Sequence, residues 1–143
     1  MAGGAVDFAV PAEAAYDFLV DPTQRPRWQS SLRAVELRDG WEPGDPVEAG
    51  LRWVDVTWPG LRPRMTLTRA ERPGLWAESG EWGAFSADLT LTFTPRAAGC
   101  RVLADFEVRA AGRWSPLGRV ATVAGVRPVL ADLRRAARIL GAA

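Results

Sequence analysis

The sequence predicts an α+β fold in which a curved antiparallel sheet of about seven strands closes around one long C-terminal helix. Three observations predict it. Leu32 to Ala110 reads as a run of short strands separated by turns rich in Gly and Pro. Only one segment, Pro116 to Leu140, is both long and helical in its apolar spacing. The chain opens with a strand and two short helices, too little helix to cover a sheet. A sheet with one wet face must bury the other, and the last helix is the long apolar element available to cover it.

Gly4 to Val10 alternates apolar Val6, Phe8 and Val10 with Asp7 and Ala9, the period of a strand with one buried face. Pro11 stands where a first helical turn accepts it, and Ala12, Ala15, Tyr16 and Leu19 follow at helical spacing. Asp21-Pro22 stops that helix, because the residue before a proline avoids the α region. A short second helix through Arg27-Trp28 follows, limited by Pro26.

The strands then come in series. Leu32 to Leu37 is first, then Pro46 to Trp58, closed by Trp58-Pro59-Gly60. Arg64 to Glu71 is closed by Arg72-Pro73-Gly74, and Leu75 to Trp82, Phe85 to Pro95 and Arg101 to Ala110 complete the run. Phe85, Ala87, Leu89, Leu91 and Phe93 share one face of their strand, opposite Ser86, Asp88, Thr90, Thr92 and Thr94. Across the short loop Ala97-Ala98-Gly99, Val102, Ala104, Phe106 and Val108 repeat the pattern. In the last helix Leu117, Val120 and Ala124 form one apolar stripe, and Val126, Leu130, Leu133, Ala137 and Leu140 another. Gly125 and Pro128 are expected to kink or break the helix between them. Arg134, Arg135 and Arg138 suit its C-terminal end as a solvated face.

The 143 residues fit one domain, 1–143, with 48% hydrophobic and 24% charged residues, which excludes a disordered or fibrous chain. A formal net charge of +1 provides no global field to recruit nucleic acid or an acidic membrane. There is no His, and all 18 basic residues are Arg. Ser-His-Asp triads, histidine zinc sites, Schiff-base lysines and the P-loop lysine are thereby excluded. Cys100 can form no intrachain disulfide and reads as a small buried hydrophobe. Neither a metal nor a cofactor is expected. No stretch approaches the ~20 apolar residues of a membrane span, and no signal pattern opens the sequence, so a cytoplasmic protein is expected. Catalysis, if any, falls to Asp, Glu, Arg, Tyr16, hydroxyls or backbone groups.

One stretch carries a family likeness. Val10-Pro-Ala-Glu-Ala-Ala-Tyr-Asp-Phe-Leu-Val-Asp-Pro, followed by Arg25-Pro-Arg-Trp28, resembles the opening of START-like helix-grip proteins. Pro46-Val-Glu-Ala-Gly-Leu-Arg-Trp53 is similar to the start of a long strand in that group, and Glu71-Arg-Pro-Gly-Leu-Trp76 to its Glu-x-Pro turn. The resemblance spans nearly the whole chain and is nearest to the polyketide cyclase/dehydrase-like branch of the SRPBCC superfamily. It implies the helix-grip fold and an internal site for a hydrophobic or aromatic small molecule. Members whose cavities use His or Lys cannot be templates for this chain, which has neither.

Seven Trp is rich for one small domain, and Trp53, Trp58, Trp76 and Trp82 lie on or beside consecutive strands. Such side chains either wall a site for a flat apolar ligand or fill the space between sheet and helix. Strand parity puts Trp53 with Asp55 on one face, and Trp76 with Glu78 and Trp82. A carboxyl carried inward beside Trp would have a raised pKa and suit proton transfer, so Asp55 and Glu78 are the catalytic candidates. A bulge, hinted at by Val54 and Val56, would instead turn Asp55 to solvent. Tyr16, Trp53, Arg69, Trp76, Trp82, Phe85, Leu89, Phe106, Leu117 and Val120 are the expected ligand-lining residues. Arg52, Arg69 and Arg109 could anchor a ligand carboxylate or phenolate, although strand arginines usually face solvent, and Tyr16 reads as a packed core residue ahead of a proton donor.

Two functions fit these expectations. One is a cofactor-independent cyclase or dehydratase that uses carboxylates on a polyketide-like intermediate. The other is a non-enzymatic carrier or sensor of a lipid or metabolite. A partner-binding module would place Trp58 and Trp82 outside the barrel. The partner expected is a hydrophobic small molecule and not nucleic acid, with the chain a monomer or homodimer.

Overall fold

The computed structural model describes residues 2–58 and 60–141. β1 (Ala2–Phe8) leads into α1 (Ala12–Val20) and α2 (Arg25–Trp28). β2 (Leu32–Leu37), β3 (Arg52–Thr57), β4 (Arg64–Glu71), β5 (Leu75–Trp82), β6 (Phe85–Arg96) and β7 (Gly99–Ala110) follow as consecutive antiparallel neighbours. A single 3-10 turn, Gly112–Trp114, then enters α3 (Pro116–Gly141). The sheet order is β1-β7-β6-β5-β4-β3-β2, so the first strand closes beside the last. The expected α+β helix-grip architecture is the one observed.

The elements differ from expectation at their edges for local reasons. β1 occupies Ala2–Phe8 rather than Gly4 to Val10. Its glycines serve close approach, since a Cβ on Gly4 would lie 2.7 Å from Leu130 Cδ1. β3 begins at Arg52 rather than Pro46, because Gly50 takes a left-handed φ of 99° that interrupts the strand. Pro59, in the expected turn after β3, lies outside the described residues.

The largest correction concerns α3, which runs without a break through Gly125 and Pro128. Pro128 and Ala124 both face solvent, so the Ala124 carbonyl that loses its helical donor can be served by water. Gly125 is set against the Phe106 ring, where a Cβ would stand 2.2 Å from Cε1. Glycine at 118 and 125 brings the helix axis down onto β7, and Thr122 between them seals the contact. Beyond the last β1 pairing, Ala2 with Phe106, β7 has a free edge. There Thr122 Oγ1 accepts the Val108 N–H at 2.8 Å, and its hydroxyl lies 3.1 Å from the Val108 carbonyl. This seating fixes which face of α3 is buried: Gly118, Thr122, Leu133 and Ala136. The stripe of Leu117 and Val120, expected to face inward, is therefore exposed.

The core is conventional and lies between α1, α3 and the concave face of the sheet. Phe8, Ala15, Leu19, Leu91, Phe93, Val102 and Leu133 are buried in it. Tyr16 packs edge-on against Phe93 with ring centroids 5.3 Å apart.

The α3 seat gives a test. A Cβ on Gly118 would come 2.9 Å from the Val108 carbonyl oxygen, a backbone atom that cannot rotate aside. Gly118→Ala should therefore lower stability by about 1–3 kcal/mol in urea denaturation, although Ala is the better helix former.

Candidate functional site

β3 and β5 each present one aromatic and one acid to the interior. Trp53 and Asp55 point inward from β3, and Trp76 and Glu78 from β5; all four are buried. β4 lies between them, pairing Met65 with both Trp53 and Gly80, and Leu67 with Glu78. The bulge that could have turned Asp55 outward is absent from β3. The register shift falls instead between Leu32 and Ala34 of β2, and pairing of Val35 with Asp55 and Leu37 with Trp53 stays regular beyond it.

The residue that organises this interior comes from α2. Arg25 and Trp28, three apart on a helix, share a face and are both buried. Arg25 is 1% exposed, and its guanidinium grips Glu78 in a fork: Nη1 to Oε2 at 2.8 Å and Nη2 to Oε1 at 2.9 Å. Nε donates to Gln29 Oε1 at 2.9 Å. Indoles surround the cation, with Trp53, Trp76 and Trp28 ring centroids 5.1, 5.2 and 5.9 Å from Arg25 Cζ. The Nε1 atoms of Trp28 and Trp76 have no acceptor among the described residues, so these rings are placed by packing and stacking. Burial works against the Arg25 charge, but the Glu78 carboxylate outweighs it and leaves the pKa above its ordinary value.

Asp55 is the carboxyl left over. Trp53 Nε1 donates to its Oδ1 at 2.9 Å, and Oδ2 has no hydrogen-bond partner among the described residues. Burial raises its pKa from 3.8 to about 6. The Arg25 charge opposes that rise, Glu78 adds to it, and the Trp53 hydrogen bond opposes it. Along the strands Asp55 stands closer than Glu78 to the end where β3 turns into β4. From the level of Glu78 to that end the concave wall is apolar and only half-buried, at Leu89, Phe106, Met65 and Phe85, with Leu89 paired to both Glu78 and Phe106. A half-buried apolar wall beside a carboxyl poised near neutrality can hold a hydrophobic molecule and exchange a proton with it.

Other expected site residues are distributed differently. Glu78 joins the site, but both its oxygens are committed to Arg25. Tyr16 is a core residue on α1, its phenol pushed further up by burial and by Asp17. Arg69 is turned out by a bulge in β4 between Leu67 and Arg69 and pairs with Glu71 at 2.6 Å. Arg52 and Arg109 likewise face outward, bonded to Asp39 and Asp88. Trp82 is exposed at the end of β5 and stacks on Phe85 with centroids 5.4 Å apart. Leu117, Val120 and Trp58 are exposed.

The sequence reading did not single out Arg25. Its signal was present all the same: an inward Glu78 needs a buried cation, and Arg25 stands three residues before Trp28 in a short helical segment.

Comparisons with known proteins agree with this architecture. The family described as "Polyketide cyclase / dehydrase and lipid transport" matches residues 4–143. No curated protein matches the sequence. The crystal structure of Ara h 8.0201 is similar with a TM-score of 0.78 at 8% identity, covering 99% of this chain and 97% of that one. The protein MLL2253 from Mesorhizobium loti is similar with a TM-score of 0.74 at 14% identity, covering 98% of this chain and 96% of that one. The di-domain ARO/CYC StfQ from the steffimycin biosynthetic pathway gives a TM-score of 0.73 at 11% identity, over 98% of this chain and 50% of its own. At these identities the likeness is one of fold.

Two stability measurements follow from the geometry. Arg25→Met leaves Glu78 buried without a partner and should cost about 3–5 kcal/mol, whereas Arg25→Met with Glu78→Met should recover most of it. Asp55 binds its proton more tightly in the folded chain, so its contribution is whole below about pH 4 and lost as pH rises through about 6. Asp55→Asn should thus match the parent in acid and exceed it above pH 7 by roughly 3 kcal/mol, read from denaturation across that pH range.

Proposed function

The chain belongs to the polyketide cyclase/dehydrase and lipid transport family, and from that membership we propose that it receives a hydrophobic or aromatic small molecule on the concave face and moves a proton on it through Asp55. The observation that carries the reading is the state of Asp55: buried, half-ionised only near pH 6 and mostly a carboxylate at neutral pH, with one oxygen anchored by Trp53 and the other free. As a carboxylate it takes the acidic proton from a carbon between two ketones. The resulting enolate carbon forms a bond to a second carbonyl, and the carboxylic acid returns its proton to the new alkoxide. Elimination of that hydroxyl as water completes a cyclisation with dehydration. General acid–base help of this kind is worth about 10²–10⁴ in rate. The apolar wall adds the folded conformer in which the two reacting carbons meet.

A carrier without catalysis is the second reading, and one observation favours it. Glu78 is saturated by Arg25, so Asp55 has no second free carboxyl beside it to share acid and base duties.

The test uses a synthetic linear poly-β-ketone thioester as substrate and quenching of tryptophan fluorescence to follow its binding. The expected result is a cyclised product formed faster than in buffer, at a rate that rises through about pH 6 as Asp55 ionises. Asp55→Asn should lose about 10²–10⁴ of that rate with binding changed less than about threefold. Binding without any acceleration would leave the carrier; no binding of the thioester would overturn both readings.

A further inference from the structure

Three turns of the sheet meet at one end, and they carry side chains the proton-transfer site does not use. Thr57 N–H closes the β3–β4 turn on the Leu61 carbonyl at 3.1 Å, and Arg64 pairs with Glu81 next to the β5–β6 turn. Trp82 pairs with Phe85 across that turn, and Phe85 pairs with Ala110, just before the 3-10 turn into α3. Each of the three turns exposes an indole: Trp58 at 62%, Trp82 at 45% and Trp114 at 44%. Leu61, Leu117 and Val120 are exposed beside them.

The acids nearest these knobs are engaged by arginines, Glu81 beside Trp82 with Arg64 and Glu36 with Arg62. Residues 29–33, 56–63, 82–87 and 110–131 contain no Asp or Glu, yet they contain Arg33, Arg62, Arg113, Arg119 and Arg127. Arg33 lies over the Trp58 ring at 5.2 Å and Arg113 over the Trp114 ring at 5.1 Å. Arg33, Arg113 and Arg119 make no ion pair among the described residues, in contrast to strand arginines such as Arg52, Arg69, Arg101 and Arg109. A net charge near zero thus conceals a basic, aromatic end and a remainder in which acids outnumber arginines.

We propose that this end docks peripherally on an anionic lipid surface. Indoles with aliphatic neighbours favour the headgroup–acyl boundary, and unpaired arginines add attraction to anionic headgroups. The shape selects lipid over a protein partner. The apolar groups project from three separate turns as knobs, and a fluid interface accepts separate knobs without a matching surface. No helix among the described residues is long and apolar enough to cross a membrane, so the contact is with its surface. The docking deepens the proposed function and rests on it only for its purpose: Trp82 and Phe85 place the half-open end of the concave face where an apolar molecule could enter.

The test is flotation of the whole chain with phosphatidylcholine vesicles, with and without phosphatidylglycerol. Binding of the neutral dye N-phenylnaphthylamine and circular dichroism are followed in parallel. The expected result is flotation with the anionic vesicles that weakens with salt. Trp58→Ala with Trp114→Ala, and separately Arg33→Glu with Arg113→Glu, should each reduce partition at least about tenfold while fold and dye binding persist. Absence of flotation, flotation untouched in both double variants, or retention by polyglutamate without flotation would overturn the proposal, the last by assigning the end to an acidic protein. Loss of dye binding in the parent chain would strike the proposed function and leave the vesicle result standing.

Discussion

The fork between Arg25 and Glu78 is the interaction on which the interior depends. A carboxylate in the middle of β5, buried behind Trp76, is tolerable only with a cation beside it. α2 supplies that cation, and the ion pair in turn holds α2 in place. Four residues cannot form a stable helix alone. Arg25 anchors its start to β5, Trp28 packs beside the cation, and the Ser30 hydroxyl just beyond it donates to Asp132 Oδ1 of α3 at 2.9 Å. The three indoles around the guanidinium replace water as its polarisable surroundings. One pair of charges therefore joins α2 to the sheet and fills the depth of the concave side.

The same pair sets the chemistry next to it. Asp55 experiences Arg25 and Glu78 at once, and their charges oppose each other, with Arg25 the stronger. What remains is the cost of burial, softened by one indole hydrogen bond. A lone guanidinium in that position would have kept Asp55 a permanent carboxylate, and a lone glutamate would have kept it protonated. A neutralised pair does neither, and leaves the acid with a titration midpoint near pH 6.

Much of this was legible in the sequence because it depends on period. Alternation predicts the strands and puts Trp53 with Asp55, and Trp76 with Glu78, on the inner face. What period cannot show is a departure from it. The β4 bulge that turns Arg69 outward, and the left-handed Gly50 that shortens β3, leave no mark in an alternating pattern. The α3 face was misread because Leu117 and Val120 are the larger apolar side chains, whereas the buried contact is made by Gly118, Thr122 and Gly125. Hydrophobicity ranks side chains by size, but a helix laid directly on backbone selects the smallest. Arg25 escaped for a related reason: a charged residue in a four-residue helix reads as surface until its partner is known to be buried.

These points bear on why position 55 is an acid at all. Asparagine there would accept the Trp53 hydrogen bond at the same distance and fill the same space. It would also escape the cost that a buried carboxyl incurs above about pH 6. Packing and hydrogen bonding therefore do not account for the carboxyl. Nor does a direct ion pair, since the Arg25 fork is taken by Glu78 and its Nε by Gln29, and Asp55 makes no hydrogen bond to it among the described residues. The property an aspartate has and an asparagine lacks is a proton that can leave and return. The unshared Oδ2 is the atom from which it would do so.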